Sequence, residues 1–257
     1  MLGDAHFGAE GQEQEEKKTS LFISLLDEIS ANDAELIICG DLFDFWFEYK
    51  HAVPRLHYRI LRKLSNLTDA GVPIHYLAGN HDFWLDSFIS QEIGLIIHPD
   101  EYELSYGNFK LYMLHGDGLL SGDHLYRLLK KVLRHPINIF LYRLLHPDVG
   151  IPLALFFSHW SRNSQKRDDY SDEDYRQFAR DKIEGGYDIV VLGHTHWPAL
   201  EPYRTGWYLN PGAWMYSFTF AVIDDDGPAL YQWDGEKAHE YHPELPPGNV
   251  RAKGERP

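Results

Sequence analysis

Five short polar clusters, each following an apolar run, could carry chemistry in this 257-residue chain. They are Asp4 and His6 in GDAHFG, Asp41 in GD, Asn80, His81 and Asp82 in GNHD, His115 in HGD, and His194 and His196 in GHTH. Such clusters are typical of strands that end at the carboxyl edge of a sheet, where open layered folds bind ligands. Oxygen and imidazole ligands without thiolates favour Mn, Fe, Zn or similar ions in a two-metal site. The clusters are therefore predicted to meet around metal ions.

The segments between the clusters predict strands layered with helices. Residues 16–31 have apolar residues at helical spacing and precede the short apolar run of residues 36–39. Residues 54–71 repeat this order, with a proline near the start of the helix and a glycine just past its end. Gly107 and Asn108 lie between two strand-like runs, and residues 198–234 contain several more short ones. This order predicts a fold of mixed strands with helices packed on them.

Together the five clusters resemble the calcineurin-like metallophosphoesterase superfamily, whose pattern is D-x-H, GD, GNH[DE], a later His and GHxH. The match covers roughly residues 1–215. The resemblance implies a four-layer αββα sandwich that hydrolyses a phosphoester or pyrophosphate with two divalent metal ions. Mn²⁺ is the first expectation for these ions, with Fe²⁺ and Zn²⁺ as alternatives.

The resemblance also implies a role for each residue of the clusters. The first metal would be held by Asp4, His6, Asp41 and His196, and the second by Asp41, Asn80, His115 and His194, with Asp41 bridging. His81 would lie over the scissile phosphate and stabilise developing charge or protonate the leaving oxygen. Asp82 would orient the His81 ring and favour its cationic form. Asn80, His81 and His194 would also contact the substrate.

Residues 124–167 invert the charge of the chain. The formal net charge of the whole is −15, whereas this segment has eight Lys or Arg residues and one acid, Asp148. Its apolar residues recur at the spacing of amphipathic helices. A basic amphipathic segment suits an anionic membrane surface or an acyl-bearing anionic ligand. A helical hairpin packed on the domain, with solvated basic residues, is the alternative that composition leaves open.

The position of this segment favours a lipid-linked nucleotide as substrate. It follows HGD, and the chain also has GDLFDFW and GHTHxP, a combination that resembles the UDP-2,3-diacylglucosamine pyrophosphohydrolases of lipid A synthesis. The resemblance implies that residues 124–167 form a lid on a domain of residues 1–123 and 168–240. The proline-rich composition after it predicts that residues 241–257 are an extended or disordered tail. The products would be UMP and 2,3-diacylglucosamine 1-phosphate. Further substrate contacts would come from Asp123, Ser161, Asn163, Ser164 and Lys166.

Two departures from that pattern keep other substrates open. His81 stands where the best-known members have Arg, and Leu120 and Ser121 stand where they have a Cys-Thr pair. A general phosphodiesterase or phosphatase of the same superfamily, acting on another nucleotide or lipid phosphoester, is therefore one alternative. A non-catalytic scaffold that kept the fold is another, although the complete set of ligand residues argues against it.

Composition excludes several other classes of protein. The single cysteine, Cys39, allows no internal disulfide, which favours a reducing compartment. The sequence has no apolar run of the length that a spanning helix needs and no secretory signal pattern at its start. The negative net charge disfavours nucleic acid as a partner. These features predict a cytoplasmic protein, and the basic segment of residues 124–167 predicts peripheral contact with the inner face of a membrane.

The aromatic residues after Asp41 allow two interpretations. Phe43, Phe45 and Phe47 alternate along an extended segment, which is typical of side chains that pack into a core. If the substrate is the lipid-linked nucleotide, the same residues are predicted to form part of the wall beside the metals.

Overall fold

The computed structural model of this chain describes residues 1–32, 34–120, 122, 124–164 and 172–243, without the side chains of residues 159–164 and 172. Its α-helices are α1 Gln12–Ala31, α2 Tyr58–Asp69, α3 His124–Leu133, α4 Pro136–Arg143, α5 Pro147–Ser164, α6 Asp172–Glu184 and α7 Trp214–Ser217. Its strands are β1 Leu36–Ile38, β2 Ile74–Leu77, β3 Ile96–His98, β4 Glu101–Tyr106, β5 Phe109–Leu114, β6 Ile189–Leu192, β7 Ala199–Tyr203, β8 Gly206–Asn210, β9 Thr219–Asp224, β10 Gly227–Trp233 and β11 Ala238–Glu240.

The strands form two layers. In the first layer, β1, β2 and β3 are parallel neighbours, and β9, β10 and β11 form an antiparallel meander. Residues 1 and 2 join these two parts, since Leu2 pairs with Ile38 and the N–H of Ala221 donates to the Met1 carbonyl at 2.8 Å. The second layer has the strand order β4-β5-β6-β8-β7, with β5, β6 and β8 parallel. The predicted hairpin at residues 107 and 108 is confirmed by the pairing of β4 with β5.

Alternation of side chains along the strands divides the interior into three apolar layers. Along β1 and the residue after it, Ile37 and Cys39 belong to the core between the sheets, whereas Leu36 and Ile38 belong to the core under α1 and α2. On β6, Ile189 and Val191 likewise face the first sheet, while Val190 and Leu192 pack against α6. Successive side chains of a strand point to opposite faces, so buried strands need apolar residues on both. The predicted four-layer αββα fold is confirmed.

Helices α3, α4 and α5 lie within the segment predicted to be an insertion. No residue of α3 or α4 is buried. The segment exposes large apolar side chains, namely Leu125, Leu128, Leu129, Val132, Leu133, Ile137, Phe140, Leu141, Leu144, Leu145, Val149, Leu153, Phe156 and Phe157. Within the part of the chain that the structure describes, none of the helices has the length and apolarity to span a bilayer.

Basic residues in α3, in α4 and between the two helices contact acids on the body of the protein. Lys130 Nζ lies 2.7 Å from Asp117 Oδ2, and Arg134 Nη1 lies 3.2 Å from Asp100 Oδ1. A third contact joins Arg143 Nη2 to Asp86 Oδ2 at 3.5 Å. These cations therefore hold the helices on acids of the body, a role that neither sequence-based interpretation of the charge inversion had given them.

The aromatic segment after Asp41 divides between the core and the inserted helices. Phe43 and Trp46 are fully buried and stack on each other at 4.8 Å between ring centroids. Phe45 and Phe47 instead contact Tyr142 of α4, at 6.0 and 4.7 Å. All three phenylalanines are buried, as the core interpretation predicts, and Phe45 and Phe47 also form the boundary with α4.

A buried histidine in this core predicts how stability depends on pH. Burial lowers the pKa of His57, which packs against Phe43 and Trp46, from 6.5 to about 4. The unfolded chain therefore binds this proton at a higher pH than the folded chain does. The stability that the neutral ring provides is present above pH 6.5 and is lost as the pH falls toward 4, a change of about 3 kcal/mol in total.

We expect His57→Phe to flatten the fall in the free energy of unfolding between pH 6.5 and 4, as measured by urea denaturation at a series of pH values. His146→Phe is the matched control, because the His146 side chain is 73% exposed. The slope, rather than stability at one pH, is the measured quantity, so a general loss of stability does not obscure it. Equal slopes for His57→Phe and the wild type would contradict the assignment.

Candidate metal centre

The predicted ligands meet because the strands that precede them are parallel. β1, β2, β5 and β6 end at residues 38, 77, 114 and 192, shortly before Asp41, Asn80, His115 and His194. β1 and β2 pair in parallel, as do β5 and β6, so each pair ends at one edge of its sheet. The bridge from Leu2 to Ile38 is also parallel and brings Asp4 to the same edge. All seven predicted ligands lie together at this edge.

Three of these residues form the first group. Asp4 Oδ1 lies 3.3 Å from His196 Nε2 and 3.9 Å from His6 Nε2, and the two imidazole nitrogens are 3.2 Å apart. The other carboxylate oxygen of Asp4 accepts the N–H of His194 at 3.2 Å. One oxygen of Asp4 is thus held by the backbone, and the other faces two ring nitrogens.

The second group forms around Asp41, His115 and His194, whose ligand atoms all lie within 4.8 Å of one another. Asp41 Oδ2 lies 3.3 Å from His115 Nε2 and 3.7 Å from His6 Nε2, so it stands between the two groups. Asn80 Oδ1 is 3.1 Å from His115 Nε2. These two groups correspond to the two ligand sets that the resemblance implies, with Asp41 where a bridging ligand is expected.

Glycines before the ligands are required by close packing. A Cβ on Gly79 would lie 2.0 Å from Asp41 Oδ1, and a Cβ on Gly40 would lie 2.4 Å from His115 Nδ1. Gly40 also has a φ of +91°, which other residues rarely adopt. The glycine in each of the Gly-Asp and Gly-Asn pairs is therefore needed because the neighbouring ligands leave no space for a Cβ.

Five of the predicted ligands have left-handed backbone conformations. They are Asp4, His6, Asp41, His194 and His196, with φ between 43° and 66°. For residues with a Cβ this conformation costs about 1–2 kcal/mol each. Such strain is typical of functional sites, where the surrounding structure holds the backbone in place.

The charges of the centre favour a bound cation. Burial lowers the pKa of His115, but the charge of Asp41 outweighs burial and raises that pKa to about 10. Burial also raises the pKa of Asp41, yet the charges of His115 and His81 hold it well below its usual value. By contrast, burial lowers the pKa of His6 and His194 to about 4, so both rings are neutral at pH 7, the form that binds metal.

The donor set fits a divalent metal ion. The Cys39 carbonyl accepts a hydrogen bond from His115 Nδ1 at 2.8 Å, which leaves Nε2 facing the oxygens of Asn80 and Asp41. Three acceptor atoms that converge in this way need a proton or a metal cation between them. Carboxylate, amide and imidazole ligands suit Mn²⁺, Fe²⁺ and Zn²⁺.

A comparison with protein-family models shows to which family the chain belongs. The model of the calcineurin-like phosphoesterase family matches residues 1–198, which include every predicted ligand. The chain belongs to the calcineurin-like phosphoesterase family. A member of this family is expected to hydrolyse phosphoesters with divalent metals.

Relatives of this phosphoesterase include two UDP-2,3-diacylglucosamine hydrolases. The one from Porphyromonas gingivalis is 30% identical over 76% of this chain and 82% of its own. The one from Proteus mirabilis is 30% identical over 91% of this chain and 98% of its own. A solved phosphoesterase structure from E. coli matches with 15% identity and a TM-score of 0.45, over 93% of this chain and 96% of that one.

The structure corrects the predicted role of Asp82 in the phosphoesterase. Its buried carboxylate accepts the N–H groups of Gly79, Asp41 and Phe43 at 3.0, 3.3 and 3.2 Å, together with the Tyr76 hydroxyl. It therefore joins the two loops that carry Asp41 and Asn80, and it does not orient His81. The sequence could not distinguish these roles, because a carboxylate next to a histidine can either orient the histidine ring or accept hydrogen bonds from nearby backbone N–H groups.

Asp44, which the sequence analysis did not single out, takes the role expected of Asp82. Its carbonyl accepts a hydrogen bond from His81 Nδ1 at 2.9 Å. Its fully buried carboxylate lies 3.6 Å from His6 Nδ1 and 3.7 Å from His81 Nδ1. It also accepts the Ser158 hydroxyl of α5 at 3.0 Å. The only signal in the sequence was a second acid three positions after Asp41.

Lys18 is a second functional residue that the sequence analysis missed. It is a buried cation on α1, and its Nζ donates to the His6 carbonyl at 2.9 Å and to Glu15 at 2.8 Å. It therefore supports the left-handed backbone of a predicted ligand. A lysine within a polar stretch of a helix gave no sign of this in the sequence.

Several predicted residues cannot be compared with the structure. Asp123 and Lys166 lie outside the described residues, and so do the side chains of Ser161, Asn163 and Ser164. Their contacts with substrate stay predictions. The loop NPGAW is described, and the buried Asn210 side chain donates to the Gly193 carbonyl and to Thr195 Oγ1, at 3.2 and 2.9 Å. This loop therefore supports the GHTH segment.

Replacement of His81 and of Asp82 is predicted to have different effects on the stability of the protein. In Asp82→Asn, the amide NH₂ must face at least one of the donors that the carboxylate now accepts. We expect the free energy of unfolding to fall by about 1–3 kcal/mol, measured by urea denaturation of the metal-free protein. His81→Ala is the comparison, because it leaves that network intact and should change stability much less. An equal loss of stability in both variants would refute the assignment of Asp82.

Proposed function

We propose that this phosphoesterase hydrolyses the pyrophosphate of UDP-2,3-diacylglucosamine to UMP and 2,3-diacylglucosamine 1-phosphate. The observation that carries the proposal is the convergence of the seven predicted ligands, Asp41 among them, at one edge of the sheets, beside helices that expose apolar side chains. The names of the relatives support the choice of substrate. In the reaction a water oxygen bonds to one phosphorus, the bridging P–O bond breaks, and a proton goes to the leaving oxygen.

Two divalent ions complete the centre in this proposal. Asp4, His6 and His196 would hold one ion, Asn80, His115 and His194 the other, and Asp41 both. Such ions polarise phosphoryl oxygens and lower the pKa of bound water. Mn²⁺ is our first choice, and Fe²⁺ or Zn²⁺ would fit the same nitrogen and oxygen ligands.

His81 is the residue we assign to the leaving oxygen. Its ring lies 4.7 Å from that of His6, edge to face, so it adjoins the first ion site. Because the Asp44 carbonyl accepts from Nδ1, the other ring nitrogen, Nε2, is left for the substrate. Asp44 fixes the ring from behind, and Ser158 connects this support to α5. A proton donated from Nε2 would neutralise charge on the leaving phosphate.

Helices α3, α4 and α5 provide the lipid end of the proposed site. Tyr142 of α4 contacts Phe45, Phe47 and Trp84 of the body, and it stacks on Trp84 at 5.3 Å. An aromatic boundary of this kind suits acyl chains, which need apolar surroundings. We propose that these helices cover the acyl chains as a lid and rest on a membrane surface, at the inner face of the membrane in the cytoplasm.

The apolar face of the lid, rather than its charge, is the stronger argument for membrane contact. Lys130, Arg134 and Arg143 pair with acids of the body and so contribute less to attraction by anionic lipid. The exposed residues include Leu125 and Phe140, which are 83% and 60% exposed. Apolar side chains exposed on this scale usually mark an interaction surface.

The substrate proposal is tested by release of UMP from micellar UDP-2,3-diacylglucosamine with Mn²⁺ present. We expect hydrolysis that decreases strongly when the acyl chains are removed from the substrate. Bis-p-nitrophenyl phosphate is run alongside as a small ester, and His81→Ala should lower kcat by roughly 10²–10⁴ while both ions stay bound. Turnover of the small ester alone would reject the lipid substrate and favour a general phosphodiesterase. No turnover of either with both ions bound would favour a scaffold.

The membrane proposal is tested by sedimentation with vesicles. We expect Leu125→Ser combined with Phe140→Ser to weaken binding to vesicles about tenfold or more, because two large apolar contacts are lost. Leu56→Ser is the control, since Leu56 is 61% exposed but lies before α2. Because Lys130, Arg134 and Arg143 pair with acids of the body, we expect the apolar contacts to contribute more to vesicle binding than the charge of the lipid does. Unchanged binding of the double variant would remove the argument.

A further inference from the structure

We propose that Trp197 and Tyr216 form a stacking platform for the nucleobase of the substrate, on the His196 side of the metal centre. The proposal rests on the proposed function, because it assumes that the phosphoester carries a nucleoside. It assigns the two ends of the substrate to two places on the protein, with the lipid at α5 and the base at these two aromatic rings.

Two large aromatic side chains are exposed beside the centre. Trp197 follows the predicted ligand His196 directly and is 56% exposed. Tyr216 is 52% exposed, and its ring centroid lies 5.8 Å from that of His196. Buried tryptophans such as Trp46 and Trp214 support the core, whereas Trp197 and Tyr216 leave about half of their surface exposed. Trp197 is next to His196 in the chain, and the Tyr216 ring is next to it in space.

The loops that carry the two rings are tied to each other and to the ligands. A Cβ on Gly212 would lie 3.0 Å from Pro198 Cβ, so the chain after Trp197 packs directly on the turn before α7. The N–H of Trp214 donates to the Gly3 carbonyl at 3.1 Å and that of Met215 to the Asp4 carbonyl at 3.3 Å. Tyr216 is therefore fixed relative to the centre, which lowers the entropic cost of binding a planar group.

A row of histidine rings separates the platform from the lid. From Tyr216 the ring centroids step 5.8 Å to His196, 5.2 Å to His6 and 4.7 Å to His81. Ser158 of α5 contacts the far end of this row, with its Oγ 3.2 Å from His81 Nδ1. A diphosphate lying along the row has one substituent at α5 and the other at Tyr216 and Trp197. The apolar surroundings of α5 suit acyl chains, which leaves the base for the aromatic rings.

Stacking is the interaction that these side chains offer a base. Every nucleobase has a flat π-face, so aromatic rings bind it without a fixed pattern of hydrogen bonds. Loss of one stacking partner typically weakens binding by roughly 5- to 100-fold. The platform is thus expected to contribute affinity for the nucleoside, whereas the centre contributes affinity for phosphate.

The test is calorimetric binding of UMP and of ribose 5-phosphate to the Mn²⁺-loaded protein. Ribose 5-phosphate has the sugar and phosphate but no base, so it reports on the metal centre alone. We expect Trp197→Ala and Tyr216→Ala each to raise the Kd for UMP about tenfold and to leave the Kd for ribose 5-phosphate unchanged. Trp197→Phe, which keeps a ring, should recover most of the affinity. Tyr58→Ala is the control, because Tyr58 is 60% exposed and lies on α2.

The outcomes separate this proposal from the substrate proposal. Equal changes for both ligands, or no change for either, would overturn the platform even if the protein hydrolyses UDP-2,3-diacylglucosamine. Base-dependent binding of UMP that Trp197→Ala abolishes would support the platform even if the lipid-linked nucleotide is not hydrolysed. The thermal unfolding midpoints of all variants should match that of the wild type, since both rings are half-exposed. If the midpoint of Trp197→Ala is altered, its Kd for UMP is compared with that of Trp197→Phe, which keeps a ring at the same position.

Discussion

The carboxylate of Asp41 is the constraint on which the rest of the centre depends. One oxygen accepts the N–H of His81 at 2.9 Å, and the other faces His6 and His115 from between them. A buried carboxylate with this arrangement needs compensating positive charge, which the raised pKa of His115 also reflects. It also needs space, and Gly40 and Gly79 provide it. The acid, its glycines and its histidine partners thus form one unit.

The surroundings of the centre hold this unit at the edge of the two sheets. Asp82 joins the loops after β1 and β2 by accepting backbone N–H groups from both. Lys18 supports the backbone at His6, and Asn210 supports the GHTH loop. These residues contact neither ion in our proposal. They maintain left-handed ligand conformations that the chain would otherwise avoid.

The inserted helices combine firm attachment with an open apolar face. Their cations pair with Asp86, Asp100 and Asp117 on the body, and Ser158 reaches Asp44 behind His81. Their leucines and phenylalanines stay exposed. A helix packed only against a core would bury such a face, and apolar side chains exposed on this scale usually mark an interaction surface. The link through Asp44 means that the position of α5 and the support of His81 are physically connected.

The sequence by itself determined the family, the αββα fold and the identity of the seven residues at the edge. It could do so because strand tips, glycines and ligand types recur in a fixed linear order, and apolar runs show which strands are buried on both faces. It also located the inserted helices from their spacing and charge. These are features of local sequence, and they need no knowledge of what lies across the fold.

Only the tertiary structure decided which groups support the ligands. Asp82 and Asp44 are both acids near His81, and the role expected of Asp82 belongs to Asp44 because the direction of a side chain in space sets its hydrogen-bond partners. The sequence likewise predicted solvated or membrane-facing positions for Lys130, Arg134 and Arg143, because their acidic partners lie on distant segments of the chain. The exposure of Trp197 and Tyr216 also depends on how distant segments pack, so only the folded structure shows it. Contacts between residues far apart in the chain leave no periodic signal in the sequence, and therefore only the folded structure shows them.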